Sequence, residues 1–576
     1  MTLAKAFQKA AVKNNQEVKS DSVVPSPQIE TNPDTVPRLY RAQVQGRCSL
    51  QYAKDNNDLE DWTTEWVNPQ TETGQPRYQH DDLPTGLDGT IYRFKFEFPW
   101  RVFTNCGQDS ILRPVIGKDG VPFIPGSSLK GIFRRLLYSQ GVSEQERHQI
   151  ELYCGSQEKN ALLRFHGAYP VGDWAGTEKV QPDQSEFRYR MVDVVHPQQP
   201  RQVEGKGSAK AIALISFYKP TMLFELSSTQ PIALEQWRQI KGLFERALRQ
   251  GLGGKTSTGY GLWAMPKNRY AFHLYLHGVG VSSLLRNNTP EFRPNLFKAV
   301  LRGHASRLLA GVCNDTGTVN RKVDELFGST KAPGKVELYW ELKDLKQATQ
   351  GREKTPICRI DGVLHLDAPA PDLEFIKGLA AFAYTMGGFG KSWRRVWHKG
   401  PDAWHPGFLP TYQSRAIGCH WQGDVWDTPA GDIKDYKSLQ SFLQTLHDQC
   451  KRYLNIRDAR AVAWREAWHP QRLVVYAKET TKSAAVGLFH SEIFKTTPAI
   501  GGKKLGDRRP TSVSSVWHRM LPVSKQKYLE IVTVFFGPYT NPDPWLRDDQ
   551  DDKQLMPFIE QLESLGFEKQ WGTRPL

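Results

Sequence analysis

Regular apolar spacing predicts the first secondary-structure elements of this chain. From Tyr92 to Phe98 apolar and charged residues alternate, and a period of two indicates a strand with one buried face. After Pro125 the apolar positions recur at intervals of three and four residues, which is the spacing of one helix face. These positions are Leu129, Ile132, Phe133, Leu136 and Leu137. The pattern therefore predicts a strand followed by an amphipathic helix whose apolar face lies in a core.

The following part of the chain alternates between polar and apolar stretches. The segment from about 156 to 210 is polar and is expected to be an irregular insertion. The regular elements expected after it are a hairpin of residues 211–217 and 222–226, a helix from about Leu234 to Arg249, a glycine loop at 251–257 and an aromatic strand at 260–263.

An internal repeat organises the middle of the chain. The matched segments are 92–98 with 270–276, 125–137 with 293–302, and 240–243 with 376–379. The register then continues without a gap, so that Gly254 matches Gly390, Lys255 matches Lys391 and Thr256 matches Ser392. Two copies of one unit therefore explain residues 88 to about 399. Each copy has the order βαββαβ, which predicts an α+β fold of two tandem ferredoxin-like, RRM-like domains.

Composition and charge narrow the range of partners. The chain has 576 residues, of which 39% are hydrophobic, so it is long enough for several domains with their own cores. Lys and Arg outnumber Asp and Glu by 76 to 61, and the net charge of +15 favours a polyanion such as nucleic acid. The seven cysteines form no disulfide-like framework, and no apolar run is long enough to cross a membrane. We therefore expect a cytoplasmic protein without a membrane partner.

The start of the first helix is a candidate anion site. A serine cap would leave backbone N–H groups and the positive end of the helix dipole beside a glycine too small to block a ligand. The candidate phosphate contacts are Gly126, Ser127, Ser128, Lys130 and Arg134, with Lys298 and Arg302 on the matching helix of the second copy. On a single helix, such cations are also typical of an ordinary solvated surface.

The glycine loops are a second candidate site for RNA phosphates. Their sequence is not a Walker A motif, because position 249 is an arginine and the loop follows a helix instead of a strand, so no nucleotide cofactor is expected. A simple helix end would explain one glycine but not the recurring group of glycines, lysine and hydroxyl. The candidate residues are Gly253, Gly254, Lys255 and Thr256 in the first loop and Gly390, Lys391 and Ser392 in the second.

Aromatic and basic residues directly after the second loop suggest stacking on unpaired bases. Trp393 and Trp397 stand among basic side chains, a combination that suits single-stranded nucleic acid. On this interpretation Trp393, Arg394 and Arg395 contact RNA. The alternative is an edge strand whose tryptophans face the core.

The helix start and the glycine loop together resemble the RAMP superfamily, the backbone subunits of type III CRISPR effector complexes. That family has a Pro-Gly-Ser-Ser-Leu-Lys-Gly helix start, here residues 125–131, and a glycine-rich loop before its last strand, here residues 251–261. The resemblance implies a protein that binds a CRISPR guide RNA, pairs it with a target single-stranded RNA, and packs beside other RAMP subunits and the large subunit. The expected domains are a flexible arm at 1–36, a first RAMP domain at 37–268, a second at 269–399, and a C-terminal extension at 400–576 that packs on or completes the second.

The resemblance also implies a candidate cleavage site. Family members that cut target RNA carry an aspartate before the Pro-Gly-Ser-Ser helix and use Mg²⁺ or another divalent cation. Asp109 is the candidate catalytic residue, and the alternative is that it is a turn residue bonded to its own backbone. Residues 282–292 of the second copy contain no aspartate, so at most one site is expected and enzyme status stays open. Cys419-His420 and His447-x-x-Cys450 could form two halves of a zinc site, but zinc is not expected, because the adjacent Cys419 and His420 leave poor room for both side chains to coordinate.

Two other functions fit the sequence less closely. One is a stand-alone endoribonuclease that processes precursor guide RNA, and the other is a single-stranded RNA-binding scaffold outside CRISPR systems. A processing enzyme usually needs a histidine acid or base near the glycine loop. No histidine occurs between His196 and Trp263, so the sequence favours the backbone subunit.

Overall fold

The computed structural model describes most of the chain after residue 78. The described residues are 79–104, 115–116, 121–139, 142–176, 192–195, 200–205, 212–256, 259–264, 270–284, 290–329, 332, 334–398, 407–409, 411–501, 513–525, 527–538, 543–547 and 553–575. Within them no helix is both long enough and apolar enough to cross a membrane.

The secondary structure alternates between strands and helices along the chain. The strands are β1 Gly86–Asp88, β2 Ile91–Glu97, β3 Val115–Ile116, β4 Pro122–Pro125, β5 Leu163–Val171, β6 Val192–Val195, β7 Ile212–Ile215, β8 Thr221–Ser228, β9 Phe272–Val281, β10 Glu337–Gln350, β11 Thr355–Asp367, β12 Cys419–Asp424, β13 Leu473–Thr480, β14 Val516–Ser524, β15 Lys527–Phe535 and β16 Glu568–Gly572. The α-helices are α1 Gly126–Arg135, α2 Glu144–Cys154, α3 Leu234–Leu248, α4 Asn295–Ala310, α5 Thr316–Phe327, α6 Ala370–Met386, α7 Tyr436–Leu454, α8 Ala485–Phe489 and α9 Leu555–Ser564.

The first sheet has the order β1-β2-β8-β5-β4-β3 with antiparallel neighbours. Its central strands and helices α1 and α3 share an aromatic core, in which the rings of Phe94, Phe224 and Phe244 contact one another at centroid distances of 5.2–5.4 Å. The predicted strand and amphipathic helix are therefore confirmed. We call residues 86–263 the first module.

Three expectations for the first module are wrong. Strand β5 lies within the segment expected to be irregular and pairs with β8 in the middle of the sheet. The expected hairpin does not form, because β7 pairs with β6 while β8 pairs with β2 and β5. Residues 260–263 form turns and not a strand, because Gly261 folds back onto the glycine loop, where its carbonyl accepts from the Leu252 N–H at 2.9 Å.

The second sheet contains all four strands expected of a ferredoxin-like unit, in the order β10-β11-β9-β12. In chain order its elements are a strand, the helices α4 and α5, two strands, helix α6 and a last strand, which is the βαββαβ arrangement of a ferredoxin-like fold. The last strand, β12, comes from residues 419–424. Residues beyond 399 therefore supply the edge of this sheet, and we call residues 270–424 the second module.

A third sheet in the C-terminal part repeats the same topology. Its order is β14-β15-β13-β16, and α8 and α9 occupy the two helical positions between its strands. All of its neighbouring strands are antiparallel. The expectation of a C-terminal extension that only packs on or completes the second domain is thus too simple, because residues 473–572 form a third βαββαβ unit. We call it the third module.

The modules are joined by shared cores and not by surface contact alone. Buried side chains of the second and third modules belong to one continuous hydrophobic cluster, which also includes Trp100 and Val203 from the first. A π-helical turn, Pro200–Glu204, reaches the segment between the second and third modules, where the Val203 carbonyl accepts from the Glu466 N–H at 3.0 Å. The polar insertion of the first module therefore holds it against the rest of the chain.

Candidate nucleic-acid interface

Helix α1 opens the candidate site, and its N-terminus differs from the expected one. The helix begins at Gly126 with Pro125 in the cap position and no side-chain cap, so the expected serine cap is wrong. Ser127 and Ser128 lie inside the first turn and are exposed. A Cβ atom at Gly126 would lie 1.8 Å from the carbonyl oxygen of Phe165, so this glycine is needed for close packing of the helix on β5.

The cations of α1 have different environments. Lys130 is half-buried and Arg134 is exposed, and neither forms an ion pair with another described residue. Arg135 donates from Nη2 to the carbonyl oxygen of Gly251 at 3.0 Å. The helix that carries the two available cations is therefore tied directly to the glycine loop. A phosphate could be held there by charge and by the uncapped N–H groups of the first turn.

The first glycine loop is held in a left-handed, alternating conformation. Gly251, Gly253 and Lys255 have φ angles of +94°, +77° and +58°. A Cβ at Gly253 would lie 2.2 Å from the carbonyl oxygen of Phe103, and the Gly254 N–H donates to that oxygen at 2.7 Å. The Gly254 amide is therefore used inside the fold and not for a ligand. Burial lowers the pKa of Lys255 from its usual range.

The first glycine loop contacts residues that come shortly before the candidate catalytic residue, Asp109, in the sequence. Phe103 and Thr104, which the loop contacts, directly precede the segment that contains Asp109. Asp109 itself lies outside the described residues. Helix α1, the glycine loop and Phe103 are nevertheless brought together in the first module.

The second glycine loop has the same conformation in a shifted register. Its left-handed residues are Gly388, Gly390 and Ser392, with φ angles of +88°, +95° and +63°. These three residues lie 137 positions after residues 251, 253 and 255, which have the same left-handed φ angles. That spacing is one position more than the spacing of the sequence repeat. In this alternation of φ angles Lys391 takes the place of Gly254, whereas the sequence repeat matches it with Lys255. Lys391 and Ser392 are both exposed.

The residues after the second loop do not form a stacking surface. Trp393 is only 8% exposed and Trp397 is fully buried, so the structure supports the core alternative for both rings. Arg394 is buried and donates to Glu466 at 2.8 Å. Arg395 donates to the Val516 carbonyl at 2.6 Å and to Ser514 at 2.7 Å. The predicted RNA contacts at Trp393, Arg394 and Arg395 are wrong, because these side chains join the second module to the third.

The matching cations of α4 are buried or paired within the fold. Lys298 is buried, and its Nζ has no hydrogen-bond partner among the described residues. Burial and the neighbouring charge of Arg302 lower the pKa of Lys298 to about 8. Arg302 donates to the Gly328 carbonyl at 2.6 Å and forms an ion pair with Asp324. The second helix therefore does not reproduce the available cations of the first.

A further group of polar and aromatic side chains lies between the first and second modules. A cavity there is lined by Trp100, Arg101, Tyr218, Lys219 and Arg293, among others. None of these residues was a candidate in the sequence. The only local signals were basic residues before proline, at Lys219-Pro220 and Arg293-Pro294. Elsewhere in the described part of the chain, no group of three or more His, Cys, Asp or Glu side chains is arranged to hold a metal ion.

The first module combines a basic helix start with a glycine loop that is bonded to it. Residues 102–263, which lie within this module, match the family model of the RAMP superfamily. The match confirms the resemblance that the two motifs carry. No curated protein matches the chain.

Solved structures of CRISPR complexes and their subunits show distant similarity. A chain of the type III-B Cmr-beta complex bound to cognate target RNA is 20% identical, with 31% of this chain and 60% of that chain covered, less than two thirds of its length, and a TM-score of 0.22. Apo Cmr1 from Pyrococcus furiosus is 14% identical, with 52% and 98% covered and a TM-score of 0.35. Cmr6 from Pyrococcus furiosus is 18% identical, with 30% and 97% covered and a TM-score of 0.20. These values are too low to transfer a role to this chain.

Proposed function

We propose that the chain is an RNA-binding backbone subunit of a type III CRISPR effector complex and holds the guide RNA by its phosphates. The observation that carries the proposal is the helix start of the first module. Lys130 and Arg134 form no ion pair with another described residue, and Arg135 of the same helix bonds the glycine loop. The RAMP match of this module and the net charge of +15 support RNA as the ligand.

Phosphate contacts of this kind suit a guide-binding role. A subunit that serves many guides needs affinity that is independent of sequence, and contacts to phosphate oxygens supply it. Base pairing between guide and target then supplies the specificity. The proposed partners are the guide RNA, the paired target RNA, other RAMP subunits and the large subunit.

Salt-dependent binding tests the phosphate contacts. We would measure the affinity of two unrelated single-stranded RNAs by fluorescence anisotropy over a range of salt concentrations. Lys130→Ala with Arg134→Ala should weaken binding of both RNAs equally and reduce the slope of log affinity against log salt by about 0.7 per lost contact. The matched control is Arg238→Ala on α3, an arginine whose side chain is 66% exposed. An unchanged slope in the double variant would contradict the proposed interface.

Cleavage of the target is a separate part of the proposal. We assign at most one site to this chain, at Asp109 with a divalent cation. In the assembled complex, Asp109→Ala should remove one cut of a matched target RNA in the presence of Mg²⁺ and leave RNA binding nearly unchanged. An unchanged product pattern would assign all cleavage to other subunits. Cutting of precursor guide RNA by the isolated chain would instead favour the processing enzyme.

A further inference from the structure

Tyr138 is the most exposed aromatic residue in the part of the chain that the structure describes. It ends the 3₁₀ turn Leu136–Tyr138, which directly continues helix α1. The residue is 84% exposed, and neither its ring nor its hydroxyl contacts a ring or forms a hydrogen bond with another described residue. Single exposed rings are common on protein surfaces, so what the ring can do depends on the groups beside it.

Unpaired cations precede Tyr138 on the same helix. Lys130 and Arg134 are four residues apart, a spacing that places side chains on one side of an α-helix, and Arg134 lies within one turn of Tyr138. Neither cation forms an ion pair with another described residue. At rises of about 1.5 Å per residue in an α-helix and about 2.0 Å in a 3₁₀ turn, residues 130–138 span about 13 Å. That length corresponds to about four nucleotides of a stacked strand at about 3.4 Å each, and to fewer of an extended one.

The surface that leads to Tyr138 is open and borders the first glycine loop. Gly131 is exposed, and a Cβ atom there would have no atom within 4 Å, so nothing in the described fold covers this part of the helix. The Ser139 hydroxyl accepts from the Gln250 side chain at 2.5 Å, and Arg135 donates to the Gly251 carbonyl at 3.0 Å. A strand that follows the helix from Lys130 would therefore reach Tyr138 where the helix meets the loop.

Trp426, the next most exposed aromatic residue of the described chain, has surroundings of the opposite charge. It is 68% exposed and follows β12. Its backbone N–H donates to the Asp424 carboxylate at 3.2 Å, and Asp427 is the next residue in the sequence. Carboxylates repel a phosphate backbone, whereas the cations before Tyr138 attract one. Charge complementarity therefore favours a nucleic acid at Tyr138 and not at Trp426.

We propose that Tyr138 stacks on an unpaired base of a single-stranded RNA whose neighbouring phosphates contact Lys130 and Arg134. Aromatic side chains bind bases in a sequence-tolerant way, because every base has a π-face. The proposal rests on the proposed function, since it adds a base contact to the phosphate contacts of the same helix. It gives the helix one contribution to affinity that depends on salt and another that does not.

Variants of the full chain and a strand without bases separate the two contributions. Tyr138→Leu removes the π-face and keeps an apolar side chain, whereas Tyr138→Phe keeps the ring. Trp426→Leu is the matched control at an exposed ring beside carboxylates. Binding of a single-stranded RNA and of an abasic ribose-phosphate strand of equal length would be measured by fluorescence anisotropy over a range of salt concentrations. Because Tyr138 has no such contacts in the described fold, its variants should keep the wild-type unfolding midpoint.

Tyr138→Leu should weaken RNA binding by about fivefold or more, as the loss of one stacked base implies. The slope of log affinity against log salt should stay unchanged, because the ring carries no charge. The abasic strand should bind Tyr138→Leu and the wild type equally, while Lys130→Ala with Arg134→Ala should still weaken its binding. Tyr138→Phe and Trp426→Leu should bind both strands as the wild type does.

The opposite results have separate meanings. Equal RNA affinity of Tyr138→Leu and the wild type, with a reduced salt slope in the Lys130 and Arg134 double variant, would overturn the stacking proposal and leave the proposed function intact. The stacking proposal would also be overturned if Tyr138→Leu left RNA affinity unchanged and weakened assembly with other subunits, which would assign the ring to a protein interface. An unchanged slope in the double variant would contradict the phosphate contacts and the proposed function, and the comparison of the two strands would still decide the stacking.

Discussion

Glu466 pairs with three arginine side chains at the junction between the second and third modules. Its carboxylate is fully buried and accepts hydrogen bonds from Arg307, Arg394 and Arg465, each at 2.8 Å. Replacing it with glutamine keeps the shape of the side chain and removes its charge. The three guanidinium groups would then share a buried site without a counter-charge. We expect Glu466→Gln to destabilise this junction strongly.

Two independent estimates give the size of the effect. Burial alone would raise the pKa of Glu466, but the arginine charges overcome it and lower the pKa from 4.5 to about 2. A shift of that size corresponds to about 3 kcal/mol, and breaking a buried ion pair typically costs about 3–5 kcal/mol. Because the folded-state pKa is lowered, the stabilisation is present above about pH 4.5 and is lost as the pH falls towards 2.

Hydrogen exchange gives a local measurement of this cost. Amide protection of β13 and β14 should fall in Glu466→Gln by the equivalent of about 3–5 kcal/mol at neutral pH. The control is Glu235→Gln on α3, where the exposed pair with Arg238 should contribute less than about 1 kcal/mol. Equal protection in the two variants would refute the reasoning that the arginine cluster depends on this carboxylate.

Two further predictions concern single helices and use thermal or urea unfolding. Gly126→Ala should destabilise the first module by about 1–3 kcal/mol or more, because the added Cβ would meet the Phe165 carbonyl. The control is Gly131→Ala in the same helix, where the added Cβ has no atom within 4 Å and should stabilise the protein by up to about 1 kcal/mol. Equal effects of the two substitutions would contradict the packing role of Gly126. Lys298→Met should stabilise the protein at pH 7 by up to about 3 kcal/mol, because the lowered pKa of about 8 shows that the buried ammonium is unfavourable. Wild-type stability should accordingly rise between about pH 8 and 10.5, and a fall over that range would contradict the assignment.

Elements with strong local spacing could be predicted from the sequence. The apolar positions of 436–454 predict a helix, and α7 spans Tyr436–Leu454. Strand β5 was missed because its period of two is interrupted, with a register shift between Phe165 and Gly167 and a proline at Pro170. The spacing of apolar residues along a short segment predicts neither this bulge nor the strand with which the segment pairs. The third module was missed for the same reason, since its topology depends on pairing between distant segments.

The candidate site was harder to predict because residue type does not determine burial. A lysine and an arginine four residues apart occur on both α1 and α4, yet on α4 the lysine is buried and the arginine is paired with Asp324. Trp393 and Arg394 have the composition of a base-stacking surface, but their partners are Trp517 and Glu466, which lie far along the chain. Only the folded structure shows those partners. The cavity between the first and second modules could not be predicted either, because the residues that line it come from both modules.

The second and third modules therefore share a topology, while the basic residues of the first and second modules have diverged in role. In the first module the cations of the helix start remain available, and a glycine loop is bonded to that helix. In the second, the corresponding positions and the residues after the loop are used for internal pairing, with Arg302 bonded to Gly328 and Arg394 to Glu466. Since a buried, paired arginine cannot also neutralise a phosphate without exposing its partner, the two uses exclude each other. The helix start of the first module is thus the part of the described chain that best suits the proposed phosphate contacts, and the corresponding basic residues of the second module stabilise the fold instead.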